Sequence, residues 1–184
     1  NVKSRYTSTG WRSYDMWNGY YTWISNVNYI LAEEETMSGS ETEKNYVLGQ
    51  AYAVRAYSYF MLAQMFSRTY KGHESEPCVP LYTEPTDIAT EGKGRATVEE
   101  VYQQITSDLD KAITMLGNSG KRKHISHINE AVASGIKARV ALVMEDWQTA
   151  LDAANAAISK SGCSIGTGTA VTGGMNDATA NNVM

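Results

Sequence analysis

The chain has 184 residues, 42% of them hydrophobic and 20% charged, which is the balance of a folded domain rather than of a disordered segment. That length allows one domain with a proper hydrophobic core. The formal net charge of −4, with no basic cluster longer than residues 121–123, argues against nucleic acid as a partner, because binding phosphates requires a basic face.

The first predicted element is a helix from about Asp15 to Glu34. Its large apolar residues recur at the spacing of one helical face. They are Trp17, Tyr20, Tyr21, Ile24, Val27 and Leu31. Asn28 lies on the same stripe. We expect it to be a buried amide that bonds neighbouring backbone groups, since an unpaired one costs about 1–3 kcal/mol.

A second helix is predicted to follow a capping box, in which Ser40 and Glu43 bond each other's backbone N–H groups. The helix extends to about Phe66. From Val54 onward it is apolar on nearly every side, which predicts the most buried helix of the fold. Arg55 lies within this stretch, and we expect it to form a structural ion pair rather than to bind a ligand.

Residues 67–96 form a long irregular connection that holds all three prolines. Connections of this length are uncommon in compact domains and are often functional or mobile. A second capping box, Thr97 to Glu100, then opens a third helix with an unbroken apolar stripe that ends near Gly117.

The last two predicted helices form a tight hairpin, with Asp146 as the N-cap of the returning helix and Gly162 just past its end. Small residues on both helices favour a close antiparallel pair of the tetratricopeptide type. The residues predicted to line the pair are Ala131, Gly135, Ala138 and Leu142 on one helix, and Trp147, Ala150, Leu151, Ala154, Ala157 and Ile158 on the other.

A shift of 82 residues aligns the second helix with the fourth, which predicts two repeat pairs. The expected fold is therefore all-α, with about five principal helices, a long loop at residues 67–96 and tetratricopeptide-like antiparallel pairs. Residues 1–162 are predicted to form this helical domain. Residues 163–184 are predicted to be a loop.

No catalytic motif is present, and we expect neither a catalytic residue nor a cofactor. His124 and His127 are three residues apart, but no carboxylate or thiol accompanies them at the spacing of a metal site, so no metal is predicted. Cys78 and Cys163 both fall in predicted loops, where a disulfide and two free thiols are about equally compatible with the sequence.

Several short motifs in a fixed order resemble the N-terminal half of the SusD/RagB family. They are Trp17…Tyr21…Ile24…Asn28, Gly49-Gln50-Ala51…Arg55-Ala56…Tyr59-Phe60, Pro80-Leu81-Tyr82, Arg95–Tyr102, Asp108–Ile113 and Asp146-Trp147…Ala150. The resemblance implies a non-enzymatic surface lipoprotein of the outer membrane that captures glycans for a SusC-like, TonB-dependent transporter. It also implies that contact with the membrane is made only through a lipid anchor outside this stretch, and that the loop at residues 163–184 leads into a missing C-terminal half.

Two other functions remain open beside glycan capture. The same scaffold serves peptide-binding members of the family, and a plain tetratricopeptide adaptor binds another protein in its concave groove. Given the resemblance, the candidate ligand-binding residues are Trp11, Arg12, Tyr14 and Asp15, predicted to lie at or ahead of the first helix. Flat aromatic faces stack on sugar rings while polar neighbours bond the hydroxyls. The competing interpretation is that Trp11 simply covers the end of the helical core.

Overall fold

The computed structural model describes residues 11–120 and 122–163 together with Gly168, and side chains from Tyr14 onward. This part of the chain forms five helices, which are α1 (Trp11–Ala32), α2 (Glu41–Phe66), α3 (Val98–Gly117), α4 (Glu130–Met144) and α5 (Trp147–Ser161). Its only β-type pairing is an isolated bridge between Pro77 and Thr97. No helix among the described residues is both long enough and apolar enough to cross a membrane.

Each helix packs against the next one in the chain, and the most extensive packing joins α2 to α3 and α4 to α5. The predicted all-α fold with two repeat pairs is therefore confirmed. The prediction of a loop at residues 163–184 falls almost wholly outside the described residues and stays a prediction.

Local capping signals set most of the helix boundaries. Both capping boxes form, with the Ser40 hydroxyl accepting from the N–H of Glu43 and the Thr97 hydroxyl accepting from the N–H of Glu100. The predicted start of α1 at Asp15 is wrong, because the helix already begins at Trp11. No proline or glycine separates these two positions, so nothing in the sequence stops the helix from extending toward its N-terminus.

Helix α2 is the centre of the core, as predicted. Its buried residues pack against α1, α3 and the middle of the long connection, where Cys78 and Val79 are fully buried. Trp17 of α1 packs against this core and meets Phe66 edge to face, with ring centroids 5.0 Å apart. The long connection is thus attached to the core of the fold through Cys78 and Val79.

The predicted lining of the α4–α5 hairpin is wrong for its large residues. Trp147, Leu151 and Ile158 are 64%, 57% and 66% exposed, and Leu142 is also exposed. The buried stripe of α5 consists of Ala150, Ala153 and Ala157, and the prediction is confirmed for Ala150 and Ala157. Two apolar stripes lie side by side on this helix, and the alanine stripe faces α4 because only small side chains permit the close approach of the two backbones.

Replacing Ala150 with leucine should lower the free energy of unfolding by about 1–3 kcal/mol, because the added atoms have no space between α4 and α5. Chemical denaturation measures this change. The control is Asn155→Leu at an exposed position of the same helix, which should change stability by no more than about 0.5 kcal/mol. Equal effects of the two variants would mean that the alanine stripe is not the contact surface.

Candidate ligand-binding site

A buried ion pair lies beneath the long connection. Asp108 of α3 accepts two hydrogen bonds from Arg55 of α2, at 2.7 Å from Nε and 2.8 Å from Nη2. Both side chains are almost fully buried. Burial opposes the charge of Arg55, but the hydrogen bonds and negative charge of Asp108 outweigh it and raise the pKa of the guanidinium. The prediction of a structural ion pair at Arg55 is confirmed.

The same arginine also binds the connection itself. Its Nη1 donates to the carbonyl oxygen of Thr83 at 3.1 Å and to Oδ1 of Asn28 at 2.8 Å. Nδ2 of Asn28 donates in turn to the carbonyl oxygens of Tyr82 and Glu84, at 3.0 and 3.1 Å. The expected role of Asn28 as a buried amide bonded to backbone groups is confirmed, and three successive carbonyls of the connection are held by two side chains.

Two tyrosines hold the backbone of the connection at Pro80 and Tyr82. The Tyr21 hydroxyl donates to the carbonyl oxygen of Pro80 at 2.6 Å. The Tyr59 hydroxyl donates to the carbonyl oxygen of Tyr82 at 2.8 Å and accepts from its N–H at 2.7 Å. Burial raises the pKa of both phenols well above its ordinary value, so they stay protonated and able to donate. Residues 80–84 are therefore rigidly placed although they have no regular secondary structure.

This arrangement leaves a cleft of about 260 Å³ between α1 and residues 82–90, which we call the α1 cleft. Its lining combines apolar and aromatic groups with hydroxyl and carboxylate groups, and consists of Tyr21, Ile24, Ser25, Asn28, Tyr82, Thr86, Asp87 and Thr90. The outer wall is tied to α1 by Tyr29, whose hydroxyl donates to the carbonyl oxygen of Thr86 at 2.8 Å.

Asp87 supplies the negative charge of the α1 cleft. Its Oδ1 accepts from the Thr90 hydroxyl at 2.9 Å and from the N–H of Ala89 at 3.0 Å. The hydrogen bond from the Thr90 side chain, followed by the one from the Ala89 backbone, lowers the pKa of this carboxyl group. The cleft therefore presents an ionised carboxylate, held in a fixed turn, at its rim.

A second depression differs in chemistry. It measures about 560 Å³ between α1, α2 and α4 and is lined by Trp23, Val54, Tyr57, Ile128, Val132 and Ile136. This lining offers almost no hydrogen-bonding groups, so a ligand rich in hydroxyls would lose its hydration there without replacement. Compared with this apolar depression, the α1 cleft is the one suited to a polar ligand.

The four residues predicted to bind ligand lie in the first turns of α1 rather than ahead of the helix. Tyr14 is 59% exposed and Asp15 is also exposed. The side chains of Trp11 and Arg12 are outside the described residues, so the predicted platform stays a prediction. Helical spacing places positions 11, 14 and 15 on one face, as a shared platform requires.

Sequence reasoning missed the α1 cleft. Asp87 and Thr90 do carry a local signal, since a side chain that bonds backbone two residues on is typical of an Asx turn. Nothing local, however, indicates that this turn lies against Ser25 of α1.

The two cysteines are both free thiols, Cys78 buried and Cys163 exposed. In the described ranges, no group of three or more His, Cys, Asp or Glu side chains is placed to hold a metal ion.

These features define a class of protein, a helical-repeat scaffold that carries a preformed polar cleft on its irregular connection. The chain belongs to the SusD-like family described as "Starch-binding associating with outer membrane", whose model matches residues 1–142. Members of this family are thus associated with the outer membrane and with binding of starch. Among curated proteins, none matches the chain.

Solved structures agree with this assignment. A SusD-like carbohydrate-binding protein from Bacteroides vulgatus is 28% identical in sequence to this chain, with a TM-score of 0.82. The match covers 90% of this chain and 35% of the Bacteroides vulgatus protein. A SusD superfamily protein from Bacteroides thetaiotaomicron is 29% identical, with a TM-score of 0.72, and the match covers 82% of this chain and 33% of that protein. A laminarin-binding SusD-like protein is 25% identical, with a TM-score of 0.60, and the match covers 76% of this chain and 28% of that protein. The chain spans about a third of the length of these proteins.

Proposed function

We propose that this protein binds glycans at the outer face of the outer membrane and passes oligosaccharides or polysaccharides to a SusC-like, TonB-dependent transporter for import. The observation that carries the proposal is the family match over residues 1–142, whose description combines starch binding with the outer membrane. A lipid anchor at the cell surface and the transporter partnership are part of the proposal. The role is binding, without a catalytic step.

Structural features support a glycan rather than an apolar ligand. Exposed aromatic residues such as Tyr14 and Tyr29 lie along α1, and the α1 cleft adds hydroxyl and carboxylate groups. Aromatic planes bind the C–H face of a sugar while polar neighbours bond its hydroxyls. Trp11, Arg12, Tyr14 and Asp15 are proposed as the platform on which the glycan first stacks.

Replacing Trp11 with alanine should weaken binding of laminari- or malto-oligosaccharides at least tenfold, about 1.4 kcal/mol, while the melting temperature changes little. Isothermal titration calorimetry and thermal denaturation measure the two effects. Trp23→Ala is the matched control, because it removes the same side chain from the same helix at the apolar depression. It should leave the affinity unchanged.

Two results would contradict this proposal in different ways. Unchanged affinity with a clearly lowered melting temperature would make Trp11 a core residue and remove the platform. Absence of binding by the wild-type protein to every glycan in the panel would remove glycan capture itself.

A further inference from the structure

We propose that the α1 cleft is a separate subsite that takes one ring of a neutral glycan, at a distance from the platform around Trp11. The proposal rests on the proposed function, because it assigns a part of the same ligand to this cleft. It goes further in naming the residues, the number of sugar rings and the charge of the ligand.

The size of the α1 cleft sets the number of rings. Pockets that hold drug-sized ligands measure about 300–1,000 Å³, whereas this cleft measures about 260 Å³. The cleft is thus smaller than a pocket for a drug-sized ligand, and we assign one ring to it, with the rest of the glycan outside. Ile24 and the rings of Tyr21 and Tyr82 supply the apolar part of the lining, against which the C–H face of a sugar loses its contact with water.

The polar groups of the α1 cleft set the charge of the ligand. The hydroxyls of Ser25 and Thr86 and Oδ2 of Asp87 make no hydrogen bond to any described residue, so they remain for a ligand. A carboxylate accepts hydrogen bonds from sugar hydroxyls, and the two hydroxyl groups both donate and accept. No lysine, arginine or histidine lines the cleft among the described residues. An acidic sugar would meet the ionised Asp87 without a cation to offset it.

Two cations contact lining residues from outside the cleft. Arg55, which bonds Asn28 from below, is paired with Asp108. Lys93 lies over the ring of Tyr82, 5.3 Å from its centre, and donates to the carbonyl oxygen of Leu81 at 3.3 Å. Neither side chain is among the residues that line the cleft, which favours a neutral ligand over an anionic one.

The α1 cleft is also aligned with the platform. Tyr14, Asn18, Tyr21 and Ser25 are spaced at i, i+4, i+7 and i+11, which places them along one face of α1. At 1.5 Å per residue, Tyr14 and Ser25 are about 16 Å apart along the helix axis. A linear glycan lying along this face reaches from the exposed Tyr14 near the start of α1 to the cleft.

The rigidity of the α1 cleft supports binding of a small group. The backbone of its outer wall is held by side chains of α1 and α2, at Tyr82 by Asn28 and Tyr59, and at Thr86 by Tyr29. A wall that is ordered before the ligand arrives does not have to be ordered by it, which removes part of the cost of binding.

The test places a leucine side chain in the α1 cleft, at a helical position where leucine is a favourable residue. Ser25→Leu should weaken binding of laminarihexaose or maltohexaose at least tenfold in isothermal titration calorimetry. The matched control is Asn26→Leu, which places the same side chain at the next, exposed position of the same helix and should leave the affinity unchanged. Asp87→Asn should also weaken binding, about threefold or more, although asparagine keeps the turn since it caps as aspartate does.

Chemical-shift mapping with the same hexasaccharides separates the outcomes. Shifts at Ser25, Thr86 and Asp87 support the subsite. Binding by the wild-type protein with equal affinity in both leucine variants and in Asp87→Asn, and with shifts confined to the start of α1, would overturn the subsite and leave the proposed function standing. Absence of any shift or heat with the wild-type protein would overturn the proposed function and the subsite together.

Discussion

Replacing Asp108 with alanine should lower the free energy of unfolding by about 3–5 kcal/mol, the largest single effect expected in this protein. The variant leaves the guanidinium of Arg55 buried with no counter-ion. Asp108 is only 1% exposed, so bulk water does not solvate this site in the folded protein. Urea denaturation followed by circular dichroism measures the loss, which is a large fraction of the stability of an ordinary domain.

Asp110→Ala is the matched control, since the same residue type lies two positions away on α3 and pairs with Lys137 at the surface. Its loss should cost no more than about 1 kcal/mol. The double variant Arg55→Met with Asp108→Leu should be more stable than Asp108→Ala, because no unpaired charge is then buried. Similar losses for Asp108→Ala and Asp110→Ala would contradict the buried ion pair.

Replacing Gly49 with alanine should lower the free energy of unfolding by about 1–3 kcal/mol. A Cβ atom at this position would lie 2.8 Å from Cγ of Leu116 and 3.2 Å from its backbone nitrogen. The side chain of Leu116 can move, but the backbone of α3 can do so only if the helix shifts. This overpacking exceeds the gain of about 1 kcal/mol that alanine otherwise brings to a helix interior.

Gly135→Ala is the matched control, because it makes the same substitution at a position where the added Cβ atom has room. The added Cβ would meet Cβ of Ala157 at 3.9 Å, an ordinary contact. This variant of α4 should therefore be more stable than the wild-type protein by about 0.5–1 kcal/mol. Thermal and chemical denaturation of the pair give the sign of each effect. If Gly49→Ala matched Gly135→Ala, the close approach of α2 and α3 would be wrong.

Local signals in the sequence determined most of the secondary structure. The capping boxes at Ser40 and Thr97, the N-cap Asp146 and the final Gly162 are read within a few residues, and each lies where predicted. The predicted start of α1 is too late, and no proline or glycine between Trp11 and Asp15 fixes the boundary there. The sequence also showed that Arg55 had to be paired, since an isolated buried charge is too costly to retain.

The partners of these residues were decided only by the tertiary structure. Asp108 lies 53 residues from Arg55, and the carbonyl oxygens that Asn28 binds lie 54 and 56 residues away. Two stripes of apolar residues on α5 both recur at helical spacing, so periodicity alone does not show which stripe faces α4. The alanine stripe does, because its small side chains allow the two helices to approach closely. The α1 cleft exists because an irregular connection folds back onto a helix more than 50 residues earlier. No local pattern encodes that contact, since its energy comes from hydrogen bonds that form only once both segments are in place.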